Sequence, residues 1–370
     1  MRVALDVSAV PMRVAGAGRY VVELAQRLAS SGVSPTLVAR RNDAARWTEW
    51  CPDAALAAVV PSARAVRLAY EAWAVGTSRV ARDADVWHGP HYTMPRRGST
   101  PAVVTIHDLT YFTHPEWHER SKVAFFTRAI TYAARHARVL ISVSETTAHE
   151  LDRLVPSHVP VVVAPLGVDL ERFSLDSGGD RDALSRAGLP LDVAYLLFVG
   201  TFEPRKGLDV LLRAFVDVAA QHPGLELWLV GQAGWGMGEV DRQLREHPEG
   251  SRVRRLGFVD EGLLAPLMRS ATAVTYPSRG EGFGLPVLEA LACGASVVTT
   301  ADTVMAEVAA GTASLARAGD AEDLARVLDV VVRAGPDAPA RERGRARAAQ
   351  FTWDAMMTRH LEAYERALAT

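Results

Sequence analysis

Cysteine is nearly missing from this chain. Its 370 residues contain two, Cys51 and Cys293, far apart and without metal-ligand spacing. That excludes a disulfide scaffold and a cysteine zinc site, and it fits a reducing compartment. An excess of one charge is missing too. The 41 Lys and Arg stand against 43 Asp and Glu, a formal net charge of −2, so bulk basicity points to no nucleic-acid partner. No apolar run is long enough to span a bilayer. The opening MRVALDVSAV lacks the long apolar core of a signal peptide and reads as a buried strand. These absences lead to the expectation of a cytoplasmic protein.

What is there is a core and a rhythm. Hydrophobic residues make up 49% of the chain, enough for two domains or one large α/β unit. RVALDVSAV is a strand, RYVVELAQRLASSG an amphipathic helix closed by Gly32, and SPTLVAR, DADVWHGP, PAVVTIHDL and ARVLISVS are further strands. Strands alternating with helices imply a parallel sheet covered on both faces. The alternation restarts at YLLFVG and runs through LELWLVG, VRRLGFV, ATAVTYP and ASVVTT. The spacing predicts two doubly wound domains, 1–170 and 193–352, joined by a polar linker over 171–192. A C-terminal helix over 353–370 would pack back on the first domain. Ligands of such sheets bind at the carboxyl ends of the strands, and a tandem pair would leave a cleft there.

Four stretches at those ends carry chemistry. In VPMRVAGAGRYVVEL, Gly16 and Gly18 lie between first strand and first helix. Glycines there let backbone N–H groups approach a phosphate, and a plain tight turn accounts for them equally well. The third glycine of the dinucleotide fingerprint is missing. The acid expected after the second strand is missing as well: Arg40 and Arg41 stand there. In VVTIHDLTYFTHPEW, His107 follows a buried strand, and Asp108 can cap the next turn. His88 and His91 end the neighbouring strand, but no carboxylate or cysteine pattern completes a metal site. In FVGTFEPRKG, Glu203, Arg205 and Lys206 join a strand to a helix. A basic pair there suits phosphate, while a solvated Arg–Glu loop is the alternative.

The fourth stretch is TYPSRGEGFGLPVLEALACGA, residues 275–295. A strand enters a glycine loop and the loop enters a helix of about two turns, with Pro286 at its start and Gly294 after its end. Glu289 reads as a first-turn residue, where a negative charge suits the helix dipole. Gly282 and Gly284 bare the N–H groups of Phe283, Gly284 and Leu285. Carboxylates such as Glu281 and Glu289 belong beside phosphate only if they grip hydroxyls.

Glu281-x7-Glu289 within SRGEGFGLPVLEALACG, with GTFEPRKG upstream and PLGVD at the domain crossing, resembles the retaining family 4 glycosyltransferases of GT-B fold. The likeness runs through GAGRYV, DVWHGP, HDLTYFTHPEW, SVSETT, LVG, LGFV and SVVTT, nearly the whole chain, and it is most similar to a bacterial mannosyltransferase-like branch. It implies a nucleotide-diphosphate sugar donor, GDP- or UDP-linked, and no metal cofactor. Its acceptor would be a carbohydrate, a lipid-linked or a small-molecule hydroxyl, held by the first domain. Arg205 and Lys206 would neutralise the leaving diphosphate. Glu281 would grip the donor sugar with backbone donors from Phe283, Gly284 and Leu285, and Glu289 would grip the ribose. His107 would contact the sugar. The base would stack near Phe258 and Val259, with Gly200 at the end of FVG close to the donor and Gly16 and Gly18 facing the diphosphate and acceptor.

Two departures stand out. Thr201 occupies the place of an arginine that many members carry after that glycine, so Arg205 must supply the guanidinium. Ala306 replaces a proline before Glu307, which loosens the assignment of Glu307 to the sugar pocket. Rival readings are a nucleotide-sugar epimerase or phosphorylase of the same architecture, an NAD(P) dehydrogenase using Arg40 and Arg41, and a non-catalytic nucleotide binder. ERSKVAFFTRAITYAARHARVL pairs Lys122, Arg128, Arg135 and Arg138 with Phe125 and Phe126. It reads first as one helix with a core face and a solvated face. The second reading, an amphipathic surface for anionic lipid, would bring the protein to the inner face of the membrane.

Overall fold

The computed structural model describes residues 1–12, 14, 16–232, 234 and 237–369. The chain divides into two compact units, Met1–Gly167 with Trp353–Thr370, and Val168–Thr352.

The first unit is built on β1 (Arg2–Asp6), β2 (Ser34–Arg40), β3 (Ala55–Val60), β4 (Val86–Gly89), β5 (Ala102–Ile106), β6 (Val139–Ser142) and β7 (Val161–Val163). All neighbours are parallel, in the order β3-β2-β1-β4-β5-β6-β7. The chain steps one way from β1 to β3 and the other way from β4 onward. The switch point therefore lies between β1 and β4, where Ala4 faces Trp87. Helix Arg120–His136 turns Ile130, Ala133 and Ala134 into the core, and Phe126 packs there on Tyr92 and Tyr111, ring centres 5.2 and 4.7 Å away. Among the described residues no helix is long and apolar enough to cross a membrane.

Helix Trp353–Ala369 is tied to this sheet by a buried polar chain. Its direction can be worked out from one end. His360 Nδ1 lies 2.8 Å from the Met356 carbonyl, which only accepts, so Nδ1 carries the proton and Nε2 accepts from the Tyr20 hydroxyl at 2.7 Å. Thr105 then donates to Tyr20 at 2.8 Å, His88 Nε2–H donates to Thr105 at 2.9 Å, and Tyr364 donates to His88 Nδ1 at 2.8 Å. Each of these side-chain groups is satisfied, as a buried network requires. Burial holds the His360 pKa down to about 4 and lowers His88 as well, so both rings are neutral. With both nitrogens engaged, His88 is a structural residue.

The second unit carries β8 (Tyr195–Val199), β9 (Glu226–Val230), β10 (Val253–Gly257), β11 (Ala273–Tyr276), β12 (Val297–Thr300) and β13 (Ser314–Ala316). They too are all parallel, in the order β10-β9-β8-β11-β12-β13, with the switch point between β8 and β11. Residues 171–192, expected as a linker, belong to this unit. Helix Asp180–Arg186 is held by a two-pronged ion pair, Asp180 to Arg269 at 2.7 and 2.8 Å. Gly294 (φ +66°) ends helix Leu285–Ala292, where an added Cβ would stand 2.3 Å from the Leu175 side chain. Ala295 N–H bonds the Ala290 carbonyl and Gly294 N–H that of Leu291, the paired bonds of a Schellman motif.

Candidate active site

The switch point of the second sheet gathers the charges. β8 leads into the turn Pro204–Lys206 and then into helix Leu208–Gln221. β11 leads into Pro277–Glu281 and then into helix Leu285–Ala292. Gly207 allows the two loops to close on each other. Its φ is +68°, and a Cβ there would meet the Pro277 carbonyl oxygen at 2.1 Å. The loops are then laced together. Arg279 N–H donates to the Arg205 carbonyl at 2.8 Å. The Arg279 guanidinium donates to the Pro204 carbonyl and to Asp209, each at 2.6 Å.

This lacing brings Arg205, Lys206 and Glu281 together. Arg205 donates to Glu281 Oε2 at 2.5 Å and to the Gly280 carbonyl at 2.9 Å. Lys206 Nζ donates to Glu281 Oε1 at 2.5 Å and to the Tyr276 hydroxyl at 2.8 Å. Ser278 and Tyr276 hydroxyls also donate to Oε1, at 2.8 and 3.0 Å. The three charged side chains are 16%, 12% and 10% exposed, which removes the reading of EPRK as a solvated loop. Burial alone would raise the Glu281 carboxyl, but Arg205 and Lys206 outweigh it and hold it well below the usual carboxylate range. Burial and then the Arg205 charge lower the Lys206 pKa, against Glu281. Lys206 is one of only two lysines in the chain, with Lys122. Glu203 also approaches Arg205, at 3.8 Å.

The sequence reading had Glu281 as a hydroxyl grip. In the structure it is also the counter-ion that fixes both cations. Tyr276, Ser278, Arg279 and Gly207 were missed as site-builders, although all four lie in the two stretches that drew attention, TYPSRGEGFGLPVLEALACGA and FVGTFEPRKG. Their cue is position, since each flanks a strand end at the switch point.

Phe283 is buried and its ring meets Phe351 edge-on at 5.6 Å. Gly284 (φ +97°) is the N-cap of helix Leu285–Ala292. The first N–H groups of a helix have no intrahelical acceptor, and among the described residues those of Phe283, Gly284 and Leu285 meet no protein acceptor. Glu289 is the fifth residue of this helix, in its second turn, so the helix-dipole explanation offered for it does not hold. Phe258 follows β10 with half its surface exposed, next to partly buried Val259. Gly200, at the end of β8, supplies the carbonyl against which Gly231 packs, where a Cβ would stand at 1.9 Å. Glu307 falls in the first turn of helix Val304–Ala309.

In the first unit, His107 is buried and its Nε2 lies 2.8 Å from the Pro90 carbonyl. Nε2 therefore carries the proton and Nδ1 is an acceptor. Burial keeps this ring neutral. Asp108 was expected to cap the next turn, but Leu109 is the N-cap there; Asp108 accepts instead from Thr110 N–H at 3.1 Å and its hydroxyl at 2.7 Å, one residue ahead of the cap. Gly16 (φ +50°) caps helix Ala17–Ser30, and Gly18 lies inside it; Arg13 and Ala15 of that loop lie outside the described residues. Arg40, weighed for a cofactor 2′-phosphate, is engaged with Asp43 at 2.6 Å and the Val10 carbonyl at 2.8 Å.

Comparison with known proteins agrees with this layout. Residues 194–333 match the family model for glycosyl transferases group 1, and residues 14–172 that for glycosyltransferase family 4. The fold is also that of a solved complex of Anabaena HepE with UDP-glucose, with a TM-score of 0.78 over 98% of each chain at 18% identity. Fold and family models together make this a GT-B glycosyltransferase. O-antigen chain mannosyltransferase B of Escherichia coli is 30% identical over 289 residues, 76% of this chain and 74% of that protein. A D-inositol 3-phosphate glycosyltransferase of Frankia alni is 30% identical over 400 residues, 96% and 95% of the two chains. The chain belongs to glycosyltransferase family 4, in a mannosyltransferase-like neighbourhood.

Proposed function

We propose that the protein is a retaining hexosyltransferase, moving a hexose, with mannose favoured, from a nucleotide-diphosphate sugar to a hydroxyl acceptor. The observation that carries this reading is the convergence of Arg205 and Lys206 on one buried carboxylate at the switch point of the second sheet. Breaking the bond between sugar and diphosphate builds negative charge on the leaving oxygen. Preorganised cations in a water-poor site stabilise that charge without rearranging. Fixed cations fill this role here, so the reading expects transfer without a metal, and EDTA should leave turnover unchanged.

The other roles are those that the family resemblance implies. The N–H groups of Phe283, Gly284 and Leu285 would bind diphosphate or sugar oxygens. Glu289 would accept from the ribose, Phe258 and Val259 would carry the base, and Gly200 would let the donor lie close to β8. His107 Nδ1 is suited to accept from a sugar hydroxyl. Gly16 and Gly18 would face the diphosphate and acceptor, and the first unit would hold the acceptor. Glu281 does not read as a nucleophile, because four donors hold its two oxygens. The acceptor would attack from the face that the diphosphate leaves, and the departing phosphate would take its proton.

The test is the anomeric configuration of the product, read by NMR after transfer from the donor that a thermal-shift panel of GDP-, UDP- and ADP-sugars selects. Retention is expected. Inversion, or a covalent glycosyl-enzyme in Glu281→Gln, contradicts the mechanism. Epimerised sugar from donor alone, or cleavage that needs inorganic phosphate, favours the rival activities.

A further inference from the structure

The glycine loop that bears the N–H groups of Phe283, Gly284 and Leu285 has a backing built by residues outside both motif stretches. Helix Ala338–Ala348 lies on helix Leu285–Ala292 at Gly344, where an added Cβ would stand 3.2 Å from the Leu291 side chain. Arg347 follows three residues later on the same face. It is half-buried, while Arg343 and Arg345 are exposed. Its Nε donates to the Val308 carbonyl at 2.8 Å, and one terminal nitrogen donates to the Glu307 carbonyl at 2.9 Å. The other terminal nitrogen reaches Gln350 at 2.7 Å.

Those carbonyls belong to the last turn of helix Val304–Ala309, and the final four carbonyls of a helix need partners from outside it. All four are accounted for. Ala306 accepts from Ala310 N–H at 2.9 Å and Ala309 from Thr312 N–H at 3.0 Å; Arg347 takes the two between them. A planar fork fits neighbouring carbonyls, and a cation suits a helix C-terminus. The capped helix presents buried Met305 to the glycine loop: a Cβ on Gly284 would stand 3.0 Å from Met305 Cγ. Arg347 also lies over the Phe351 ring at 4.6 Å. Val168 N–H holds the Phe351 carbonyl at 3.1 Å, and the Phe351 ring meets Phe283 edge-on. One guanidinium thus stands behind Phe283 by way of Phe351, and behind Gly284 by way of Met305.

We propose that Arg347 is a positioning residue for the donor: it fixes both supports of the glycine loop and so sets the N–H groups of Phe283, Gly284 and Leu285 for a diphosphate. It touches no reacting atom. That these N–H groups meet a diphosphate rests on the transferase reading; that Arg347 sets the loop does not.

Arg347→Lys keeps the charge and loses the fork. Two measurements on the full chain test the proposal: amide hydrogen exchange, and calorimetry with GDP, UDP, GMP and UMP. Exchange should rise in peptides covering 283–292 and 304–309 and stay unchanged over 195–221 of the same unit. Affinity for the preferred diphosphate should fall about tenfold, and that for its monophosphate by no more than about threefold. Arg345→Lys, on the exposed face, should change neither. Phe351→Leu removes one support and leaves both carbonyls capped. It should give the same pattern with a diphosphate loss of about threefold, and it decides the matter if Arg347→Lys does not fold. Unchanged exchange over 283–292 overturns the proposal. So does a rise throughout the second unit with equal losses for diphosphate and monophosphate, which marks plain stability. A local rise that leaves diphosphate affinity at the wild-type value overturns it as well. If the wild type binds neither diphosphate, the transferase reading fails and takes the donor role with it, and exchange still decides whether Arg347 sets the loop.

Discussion

The two units solve one topological problem with opposite charges. Each has a parallel sheet whose strand order reverses once, between β1 and β4 in the first unit and between β8 and β11 in the second. In the second, the loops at the reversal bring two cations onto one carboxylate kept ionised. In the first, burial pushes Asp6, at the end of β1, and Glu71, both bonded by Ser8, toward the neutral form. The fold rule says where a ligand binds; the residue types say which. On the proposed function the cations of the second unit would meet a leaving diphosphate.

This contrast can be broken from either side. The largest stability effect belongs to Glu281→Ala, which leaves Arg205 and Lys206 buried without their counter-ion. It should cost about 3–5 kcal/mol, and amide hydrogen exchange should rise in peptides of the second unit and not in the first. Glu281→Gln should cost less, and it should bind a bare nucleoside diphosphate at least as tightly as wild type while turnover falls. Weaker diphosphate binding would show that Glu281 does not compete for the cations. Gly207→Ala forces a Cβ against the Pro277 carbonyl at positive φ and should cost about 2–3 kcal/mol. A neutral result by denaturant titration would mean that the loops are not held as closely as described.

The first unit should answer to acid instead. His360 has its pKa held to about 4, below its ordinary 6.5. The unfolded chain therefore binds the extra proton first, and stability falls as pH drops from 6.5 toward 4. Between pH 6.5 and 5 the loss from this residue should be about 1.5 kcal/mol. His360→Gln should flatten the slope, and an unchanged slope would exclude His360 as its source. Tyr364→Phe leaves His88 Nδ1 without its donor and should cost about 1–2 kcal/mol, with exchange rising in the helix Trp353–Ala369 and not in the second unit.

Much of this layout was legible beforehand, for physical reasons that also mark its limits. Central strands such as Tyr195–Val199 and Ala102–Ile106 are buried throughout and announce themselves as apolar runs. The strands that were missed, Ala55–Val60, Val161–Val163 and Ser314–Ala316, are edge strands, partly exposed, one alanine-rich and two of only three residues. Glu281, Arg205 and Lys206 stood out because each follows a strand, but their mutual grip joins loops 75 residues apart, which no local pattern records. The chain from Tyr364 to His88 crosses 276 residues and was invisible for the same reason. Residues 171–192 looked like a linker because they are polar. What packs them is long-range: Arg269 holds Asp180 and the Ser174 carbonyl, Leu175 meets Gly294, and Phe173 and Leu184 are buried.

The central claim is that the cations of the second unit carry the leaving group. Steady-state kinetics of Arg205→Ala test it most directly, with the preferred donor varied at saturating acceptor. If Arg205 acts on charge that appears only in the transition state, kcat should fall about 100- to 1000-fold while the donor KM changes far less. A kcat equal to wild type, with only a weaker donor affinity, would contradict it.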